Sequence, residues 1–297
     1  MILAAIDIGS NAVRLLVSNV YEVGDWTPLV RKANLYRVPV RLGEDAFLKN
    51  AISPQRTEDL IKTMISFRHL MDVCRVEDYL ACATSALRSA DNGEEIARRV
   101  HKEAHIDLEL ITGAKEAEYI ALNRLDGRFL DGNYLFIDVG GGSTELILYN
   151  SGALVAAESF KIGTIRLKEA LVSSARWSKM GAWVKKNSRG MEKLRAIGFG
   201  GNINKIFKLS LRRQDKALSR KRLEKVLAML ERLTYEERMI KLGLRPDRAD
   251  VILPAGRIFS AIMDWGGIKD IHVPQIGLAD GLIHALYKKH QEKMRLE

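Results

Sequence analysis

Two segments of this chain share a pattern of residues that could bind phosphate. Each lies between two apolar stretches, and they are Asp7-Ile8-Gly9-Ser10-Asn11 and Asp138-Val139-Gly140-Gly141-Gly142-Ser143-Thr144. Glycine accepts positive φ angles and close backbone approach, so successive N–H groups can point at phosphate oxygens. The aspartate that begins each segment offers the hard oxygen that Mg²⁺ or another divalent cation prefers. The pair of segments therefore predicts a site for phosphate and metal.

The repetition is what favours a functional interpretation. A lone Asp-x-Gly sequence more simply indicates a capped turn, whereas two equivalent loops in a duplicated fold would serve one site. We therefore expect Asp7 and Asp138 to ligate the metal. The residues expected to bind phosphate are Gly9, Ser10 and Asn11 in the first loop, and Gly140, Gly141, Gly142, Ser143 and Thr144 in the second.

Three further residues could contribute to the chemistry. Glu116 is expected in the first turn of a helix, where the helix dipole also favours an acid for purely structural reasons. Arg88 follows a buried strand, and ligands of α/β proteins often bind at the carboxyl ends of strands. Glu145 follows the second loop and, by strand alternation, points either to the site or to solvent.

The elements that must position these residues follow from apolar periodicity and turn residues. The first half is predicted to contain strands at 2–8, 12–21, 28–38, 79–83 and 106–111, a turn at Gly24-Asp25, and helices at 54–71, 92–104 and 113–125. The second half is predicted to contain strands at 134–138, 153–160 and 268–273, with one directly after the second loop, and helices at 164–172, 178–190, 202–210, 219–232, 234–242, 248–264 and from 280.

This order indicates a duplicated α/β fold of the actin, hexokinase and Hsp70 (ribonuclease H-like) type. Such a fold has two domains and binds its ligand in the cleft between them. We predict an N-terminal domain at 1–126, a second domain at 127–280, and a terminal helix at 281–297 that packs near the first domain. The glycine-rich stretch 127–133 is the predicted boundary.

Composition limits the function classes. A chain of 297 residues that is 47% hydrophobic can bury a large core, and it has no apolar run long enough to span a membrane. The two cysteines, Cys74 and Cys82, lack metal-binding spacing and indicate reduced thiols, so we expect a cytoplasmic protein. The net charge of +10 favours polyanionic partners. No nucleic-acid-binding motif accompanies that charge, so we expect no nucleic acid partner.

Seven motifs in their order along the chain resemble the exopolyphosphatase/guanosine pentaphosphate phosphohydrolase (Ppx/GppA) family. The resemblance is to its short form, which lacks a C-terminal HD-like extension. The motifs are Asp-Ile-Gly-Ser-Asn at 7–11, Val-Arg-Leu-Gly-Glu at 40–44, Ala-Thr-Ser-Ala-Leu-Arg at 83–88, Ile-Thr-Gly at 111–113 with Glu-Ala at 116–117, Ile-Asp-Val-Gly-Gly-Gly-Ser-Thr-Glu at 137–145, Gly-Phe-Gly-Gly at 198–201, and Arg-Ala-Asp-Val-Ile-Leu-Pro at 248–254.

The resemblance implies Mg²⁺-dependent hydrolysis of a terminal phosphoanhydride, in inorganic polyphosphate, in guanosine pentaphosphate or in both. It also implies that Glu116 is the base that activates water, with Arg88, Asp138 and Glu145 in the same site. Three positions depart from the family pattern: Ala12 replaces a serine, Lys115 a glutamate and Ala279 an arginine.

Alternatives remain open at this stage. One is a non-enzymatic sensor that binds polyphosphate or a guanosine alarmone, although a pure binder would not need the base. Another is a small-molecule kinase of the same superfamily, in which Gly198-Phe199-Gly200-Gly201-Asn202 would bind adenosine. A homodimer is also left open.

Overall fold

The computed structural model describes residues 1–22, 29–123, 132–211 and 217–295. The chain divides into two compact units: unit 1 consists of Met1–Arg128 and Gly277–Glu297, and unit 2 of Phe129–Ile276. Unit 1 is therefore built from both ends of the chain. The predicted turn at Gly24-Asp25 lies outside the described residues, and so does most of the predicted boundary segment 127–133.

Unit 1 contains a five-stranded sheet with the first strand of the chain at its centre. The strands are β1 Ile2–Ile8, β2 Val13–Tyr21, β3 Leu29–Val38, β4 Asp78–Ala83 and β5 Leu108–Leu110, in the order β3-β2-β1-β4-β5. The first three form an antiparallel meander, and β4 and β5 continue in parallel with β1. All of β1 except Ile2 is buried, as its nearly continuous apolar sequence and central place require.

Six helices complete the description of unit 1. They are α1 Leu42–Leu48, α2 Pro54–Val73, α3 Ser85–Ser89, α4 Gly93–Ala104, α5 Gly113–Ala121 and the last helix of the chain, α13 Leu278–Met294. Helix α2 begins where the sequence predicts, because Ser53 is extended at the N-cap and Pro54 suits the first helical position. Its buried side chains recur at helical spacing on one face: Leu60, Met64, Phe67 and Met71.

The sheet of unit 2 repeats this topology. Its strands are β6 Tyr134–Val139, β7 Thr144–Asn150, β8 Ala153–Phe160, β9 Arg195–Phe199, β10 Leu218–Ser219 and β11 Asp270–His272. The order is β10-β11-β9-β6-β7-β8, so an antiparallel meander is again followed by two parallel strands. The repeated strand order puts the two glycine loops in equivalent places, each between the first two strands of its unit.

The helices of unit 2 surround a buried central helix, α12. They are α6 Thr164–Lys168, α7 Ser174–Ser188, α8 Gly201–Leu209, α9 Arg220–Glu231, α10 Tyr235–Leu242, α11 Pro246–Ala249 and α12 Ile252–Trp265. A Cβ on Gly256 of α12 would lie 2.1 Å from Leu227 Cδ2, so glycine lets α9 pack closely there. Among the described residues, no helix has the length and apolar character that crossing a membrane requires.

The sequence-based prediction misses three elements next to the candidate site. Helices α1 and α3 are too short to show an apolar period. Strand β9 contains Gly198, a residue that strands usually disfavour. A Cβ at this position would lie 2.8 Å from Ile271 Cδ1 on the neighbouring strand, so glycine lets the Ile271 side chain pack closely on β9. The helix predicted at 248–264 is two helices, α11 and α12.

A buried carboxylate joins α1 to the start of α2. Asp45 accepts hydrogen bonds from the Ser53 N–H (3.2 Å) and from Lys49 Nζ (3.0 Å), and it pairs with Arg56 Nε at 3.2 Å. Burial acts to raise the pKa of Asp45, but hydrogen bonds from Ser53 and Lys49, together with the charge of Arg56, outweigh it and lower the pKa. The ionised carboxylate therefore stabilises the folded state.

We expect Asp45→Asn to reduce the free energy of unfolding at pH 7 by about 1–3 kcal/mol, because Ser53, Lys49 and Arg56 lose a charged acceptor. Since folding lowers the pKa of Asp45, wild type loses this stabilisation as the pH falls below about 4. The difference in free energy of unfolding between wild type and Asp45→Asn should therefore become smaller at low pH. Urea unfolding at several pH values measures both effects. Asp59→Asn, on the exposed side of α2, is the matched control; an equal loss in that variant would contradict the prediction.

The departure from the family pattern at Ala279 lies in the first turn of α13. Ala279 is buried, and Asp280 beside it accepts the Gly277 N–H (2.9 Å) and pairs with Lys32 Nζ (2.7 Å). A Cβ on Gly281 would lie 1.9 Å from the Tyr119 carbonyl oxygen, so glycine allows α13 to pack directly on α5. The last helix of the chain thus supports the helix that contains Glu116.

Candidate active site

The second glycine loop is a tight hairpin between β6 and β7. The Gly140 N–H donates to the Ser143 carbonyl oxygen at 2.9 Å and closes the turn. The segment that follows β8 passes directly behind the loop, where the Thr144 hydroxyl donates to the Ile162 carbonyl at 2.6 Å. A Cβ on Gly163 would lie 2.4 Å from the Gly141 carbonyl oxygen, so this approach requires glycine at position 163.

All three glycine carbonyls of this loop are bonded to the segment behind it. The bonds are Thr164 N–H to Gly140 O (3.0 Å), Ile165 N–H to Gly141 O (2.9 Å) and Arg166 Nε–H to Gly142 O (3.0 Å). In a planar trans peptide, the N–H of the next residue points the opposite way. The N–H groups of Gly141, Gly142 and Ser143 therefore point away from that segment, and among the described residues they have no acceptor. A row of N–H groups that point the same way can bind an anion.

Two carboxylates lie beside this loop. Asp138 on β6 is directly opposite Glu145 on β7, and residues opposite each other in an antiparallel pair point to the same face. The side chain of Glu145 is buried, and the Ser159 hydroxyl donates to its Oε1 at 2.8 Å. The orientation that the sequence left open for Glu145 is therefore settled: it lies on the face of Asp138 and not in solvent. Gly200 leaves room for Asp138, since a Cβ there would lie 3.1 Å from Asp138 Oδ1.

The first loop is built in the same way with different residues. The Gly9 N–H donates to the Ala12 carbonyl at 3.1 Å. The carbonyl of Ser10 accepts from the Gly43 N–H (2.8 Å) at the start of α1, and that of Asn11 accepts from the Arg41 N–H (3.2 Å). Helix α1 therefore supports the first loop as α6 supports the second. The loop backbone is held at its carbonyls, which turns the following N–H groups outward.

Glu116 and Arg88 form an ion pair in unit 1. Thr112 is the N-cap of α5, and its hydroxyl accepts the Lys115 N–H at 3.2 Å, which places Glu116 in the first helical turn as predicted. The Glu116 side chain is 9% exposed, and its Oε2 lies 3.6 Å from Arg88 Nη1. Arg88 lies in α3, and its guanidinium also donates to the Ile111 carbonyl. The predicted base is thus a nearly buried carboxylate held beside a cation.

A serine pair links the first loop to the helix of Arg88. Ser10 Oγ lies 2.9 Å from Ser85 Oγ, and both residues are buried. Because Ser85 is the first residue of α3, the loop and the helix share a hydrogen bond.

Cys82 on β4 is a buried thiol near these residues. Burial, together with the charges of Glu109, Asp7 and Glu116, raises its thiol pKa to about 12. Cys82 is therefore an uncharged core residue.

The structure brings the predicted residues together in two groups. In unit 1 these are the first-loop residues together with Arg88 and Glu116, and in unit 2 the second-loop residues together with Asp138 and Glu145. Asp7 and Asp138 belong to different units, so their joint action on one metal ion stays a prediction.

Two residues near the loops are missing from the sequence-based prediction. Arg14 pairs with Asp7, with 2.5 Å between Arg14 Nη1 and Asp7 Oδ2. Gly163 allows the segment behind the second loop to approach. Alignment of the two repeats could have indicated Arg14, because it occupies the position of Glu145. No sequence signal indicates Gly163, because glycine is needed there for a contact between segments distant in sequence.

The residues of unit 2 fit a magnesium ion. Within the described residues there is no group of three or more His, Cys, Asp and Glu side chains placed to hold a metal. Mg²⁺ commonly takes one or two carboxylates and completes its shell with water and substrate phosphate. Asp138 and Glu145, side by side next to the outward N–H groups of the second loop, are such a pair.

Two sheets that share a five-strand order, each with a glycine loop between its first two strands, place the chain in the duplicated actin-like class. The chain belongs to the Ppx/GppA phosphatase family, whose model matches residues 33–290. The resemblance, the fold class and the prediction of a phosphoanhydride hydrolase are thereby confirmed.

Known proteins similar to this chain agree with that placement. Exopolyphosphatase 1 of Mycobacterium tuberculosis is 26% identical over 95% of this chain and 87% of its own length. A bifunctional 3-dehydroquinate synthase/phosphatase of Fusobacterium nucleatum is 28% identical over 98% of this chain, which spans only 47% of that longer protein. The crystal structure of an exopolyphosphatase from Cytophaga hutchinsonii matches this chain with a TM-score of 0.81 and 24% sequence identity. The match covers 97% of this chain and 98% of that chain, and it shows that the two have the same fold.

Proposed function

We propose that this protein releases the terminal phosphate of inorganic polyphosphate, guanosine pentaphosphate or both by attack of water. The observation on which this rests most is the second glycine loop. Its three carbonyls are bonded on one side, and its N–H groups face away beside two carboxylates. This arrangement suits a phosphate that arrives with a divalent cation. The relative named exopolyphosphatase supports polyphosphate as the substrate.

The residue roles follow from their chemistry. Glu116 orients the attacking water and accepts its proton as the new P–O bond forms and the bond to the next phosphate breaks. Arg88 holds Glu116 and contributes positive charge. The N–H and hydroxyl groups of the loops stabilise the charge that develops on the phosphoryl oxygens. These groups belong to Ser10 and Asn11 in the first loop and to Gly141, Gly142 and Ser143 in the second. Gly9, Gly140 and Thr144 shape the loops instead, because the two glycine N–H groups close the turns and the Thr144 hydroxyl is bonded to the Ile162 carbonyl.

Asp138 and Glu145 would hold Mg²⁺. The bound cation neutralises phosphate charge, which is its usual contribution to phosphoryl transfer. Both carboxylates belong to the β6–β7 hairpin that also carries the proposed anion site. Asp7 pairs with Arg14, and its role as a second metal ligand stays a prediction.

Phosphate release tests the proposal directly. Long polyphosphate, short polyphosphate, guanosine pentaphosphate and ATP are supplied one at a time, with Mg²⁺ and with EDTA. We expect phosphate to be released from long polyphosphate, short polyphosphate or guanosine pentaphosphate without any acceptor molecule. We expect EDTA to abolish this release. Inactivity on all of them would favour the sensor, and phosphate transfer that requires both ATP and an acceptor would favour the kinase.

A further inference from the structure

Arg41 has a backbone conformation that residues with a side chain rarely adopt, and it lies directly behind the first loop. Its φ and ψ angles are 59° and 39°, in the left-handed region, where the backbone crowds a Cβ. Elsewhere in the described chain, Asn50, Arg75 and His105 adopt this conformation just past the ends of helices, where it is common. Arg41 instead precedes a helix, α1. Strained residues persist where the surrounding structure holds them, and they cluster at functional sites.

The backbone of Arg41 holds the first loop in place. Asn11, whose N–H is proposed to bind phosphate, is fixed on both sides. Its carbonyl accepts the Arg41 N–H at 3.2 Å. The carbonyl of Ser10, which shares a peptide group with the Asn11 N–H, accepts the Gly43 N–H at 2.8 Å. A negative φ at Arg41 would turn its N–H relative to that of Gly43, so the left-handed conformation is what allows both bonds to exist together.

Two ion pairs hold Arg41 in this conformation. The Arg41 Nε–H donates to Glu44 Oε1 at 2.8 Å, across the first turn of α1. Arg56 on α2 pairs with the other oxygen of Glu44, at 2.5 Å from Arg56 Nη2, and also donates to the Arg41 carbonyl. Burial acts to raise the pKa of Glu44, but hydrogen bonds from Arg41 and Arg56, together with their charges, outweigh it and lower the pKa. Glu44 is therefore an ionised carboxylate between two guanidinium groups, and such charge-assisted hydrogen bonds are strong.

The same contacts argue against a direct role for the charge of Arg41 in binding phosphate. Both Nε and Nη2 of its guanidinium donate to Glu44. A phosphate would have to compete with this carboxylate, which lies in the same turn of the chain. Position 41 therefore contributes through its backbone, and the side chain serves to hold that backbone.

We propose that Arg41 and Glu44 are positioning residues for the first loop. Glu44, bonded to Arg56, keeps Arg41 in the left-handed conformation, and the Arg41 N–H then fixes the peptide groups that face phosphate. Phosphate as the ligand of this loop rests on the proposed function. Position 41 then requires a residue that accepts a positive φ angle, with or without a charge.

Glycine and alanine at position 41 separate the backbone role from a role of the charge. Both variants remove the guanidinium and keep the N–H, but only glycine accepts a positive φ without cost. We expect kcat/KM for polyphosphate to be about tenfold higher in Arg41→Gly than in Arg41→Ala, the factor that corresponds to the cost of a left-handed alanine. In hydrogen-exchange mass spectrometry, peptides of the first loop should exchange faster in Arg41→Ala than in Arg41→Gly.

Arg75 provides the matched control. It is also left-handed, with a φ of 54°, but it precedes β4 and so lies at the opposite end of the strands from the first loop. Arg75→Ala should be less stable than Arg75→Gly in urea, because the backbone strain is the same. These two variants should have equal kcat/KM and equal exchange in the first loop.

A double-mutant cycle tests the role of Glu44. Glu44→Gln removes the charge that holds Arg41, so we expect it to lower kcat/KM about tenfold when Arg41 is present. In the Arg41→Gly background it should cost about threefold at most, because glycine needs no side chain to hold its conformation.

Two results would overturn the assignment. One is equal kcat/KM or equal loop exchange in Arg41→Gly and Arg41→Ala, which would mean that position 41 does not act through its conformation. The other is an effect of Glu44→Gln of the same size in both backgrounds, which would mean that Glu44 acts independently of Arg41. Failure of the proposed function is a different outcome, since wild type would then release no phosphate. Hydrogen exchange of the first loop decides the assignment in that case.

Discussion

Glu116→Gln is expected to lower the turnover number for polyphosphate by about 10²–10⁴-fold, the usual contribution of a general base. Glutamine keeps the size and the hydrogen-bonding reach of the side chain but cannot accept a proton from water. Because the two glycine loops proposed to bind phosphate are unchanged, binding of polyphosphate should be retained. Phosphate release under saturating substrate measures the first quantity, and equilibrium binding of polyphosphate the second.

The matched control lies two residues further along the same helix. Glu118 is exposed and pairs with Lys115 at 3.0 Å, so Glu118→Gln removes an equal charge from α5 without touching Arg88. It should leave turnover near the wild-type value. Near-normal turnover in Glu116→Gln would refute the assignment of Glu116 as the base.

Gly163→Ala is expected to lower kcat/KM by about 10²-fold, because a displacement of about 1 Å at a reacting group costs that much. The new Cβ would lie 2.4 Å from the Gly141 carbonyl oxygen and 2.5 Å from the Gly142 nitrogen. These are backbone atoms of the second glycine loop, so the loop itself must move. The crowding should also reduce the free energy of unfolding by about 1–3 kcal/mol.

Steady-state kinetics and urea unfolding separate the two effects of this substitution. Gly277→Ala is the control, because Gly277 is also a helix N-cap with extended backbone and a Cβ there meets nothing within 4 Å. We expect that variant to resemble wild type. If Gly163→Ala had normal kcat/KM, the segment behind the loop would not be positioning it.

The strands around the site are predictable from the sequence, whereas the contacts that shape it are not. Strands β1 and β8 begin and end at the predicted residues, because apolar runs and adjoining turns mark their limits. The twin loops are also visible, since glycine is required wherever backbone must approach a ligand. These features depend on neighbours in sequence, which a single chain displays.

The ion pair between Glu116 and Arg88 depends on distant segments. It needs α3 and α5 at adjacent strand ends, and α3 is too short to be recognised by periodicity. The face of Glu145 was likewise undetermined until the register with Asp138 was known, because a shift of one residue reverses every side chain of a strand. Register and helix docking are properties of the folded sheet, and they decide which side chains meet.

The composition of unit 1 from both ends of the chain has a consequence for biosynthesis. Helix α13 packs on α5 but follows unit 2 along the chain. Unit 2 is continuous and can fold while translation proceeds, whereas unit 1 lacks helix α13 until all of unit 2 has been translated. Stalled or truncated nascent chains should therefore expose the α5 surface that Gly281 covers, and they would be substrates for chaperones and proteases.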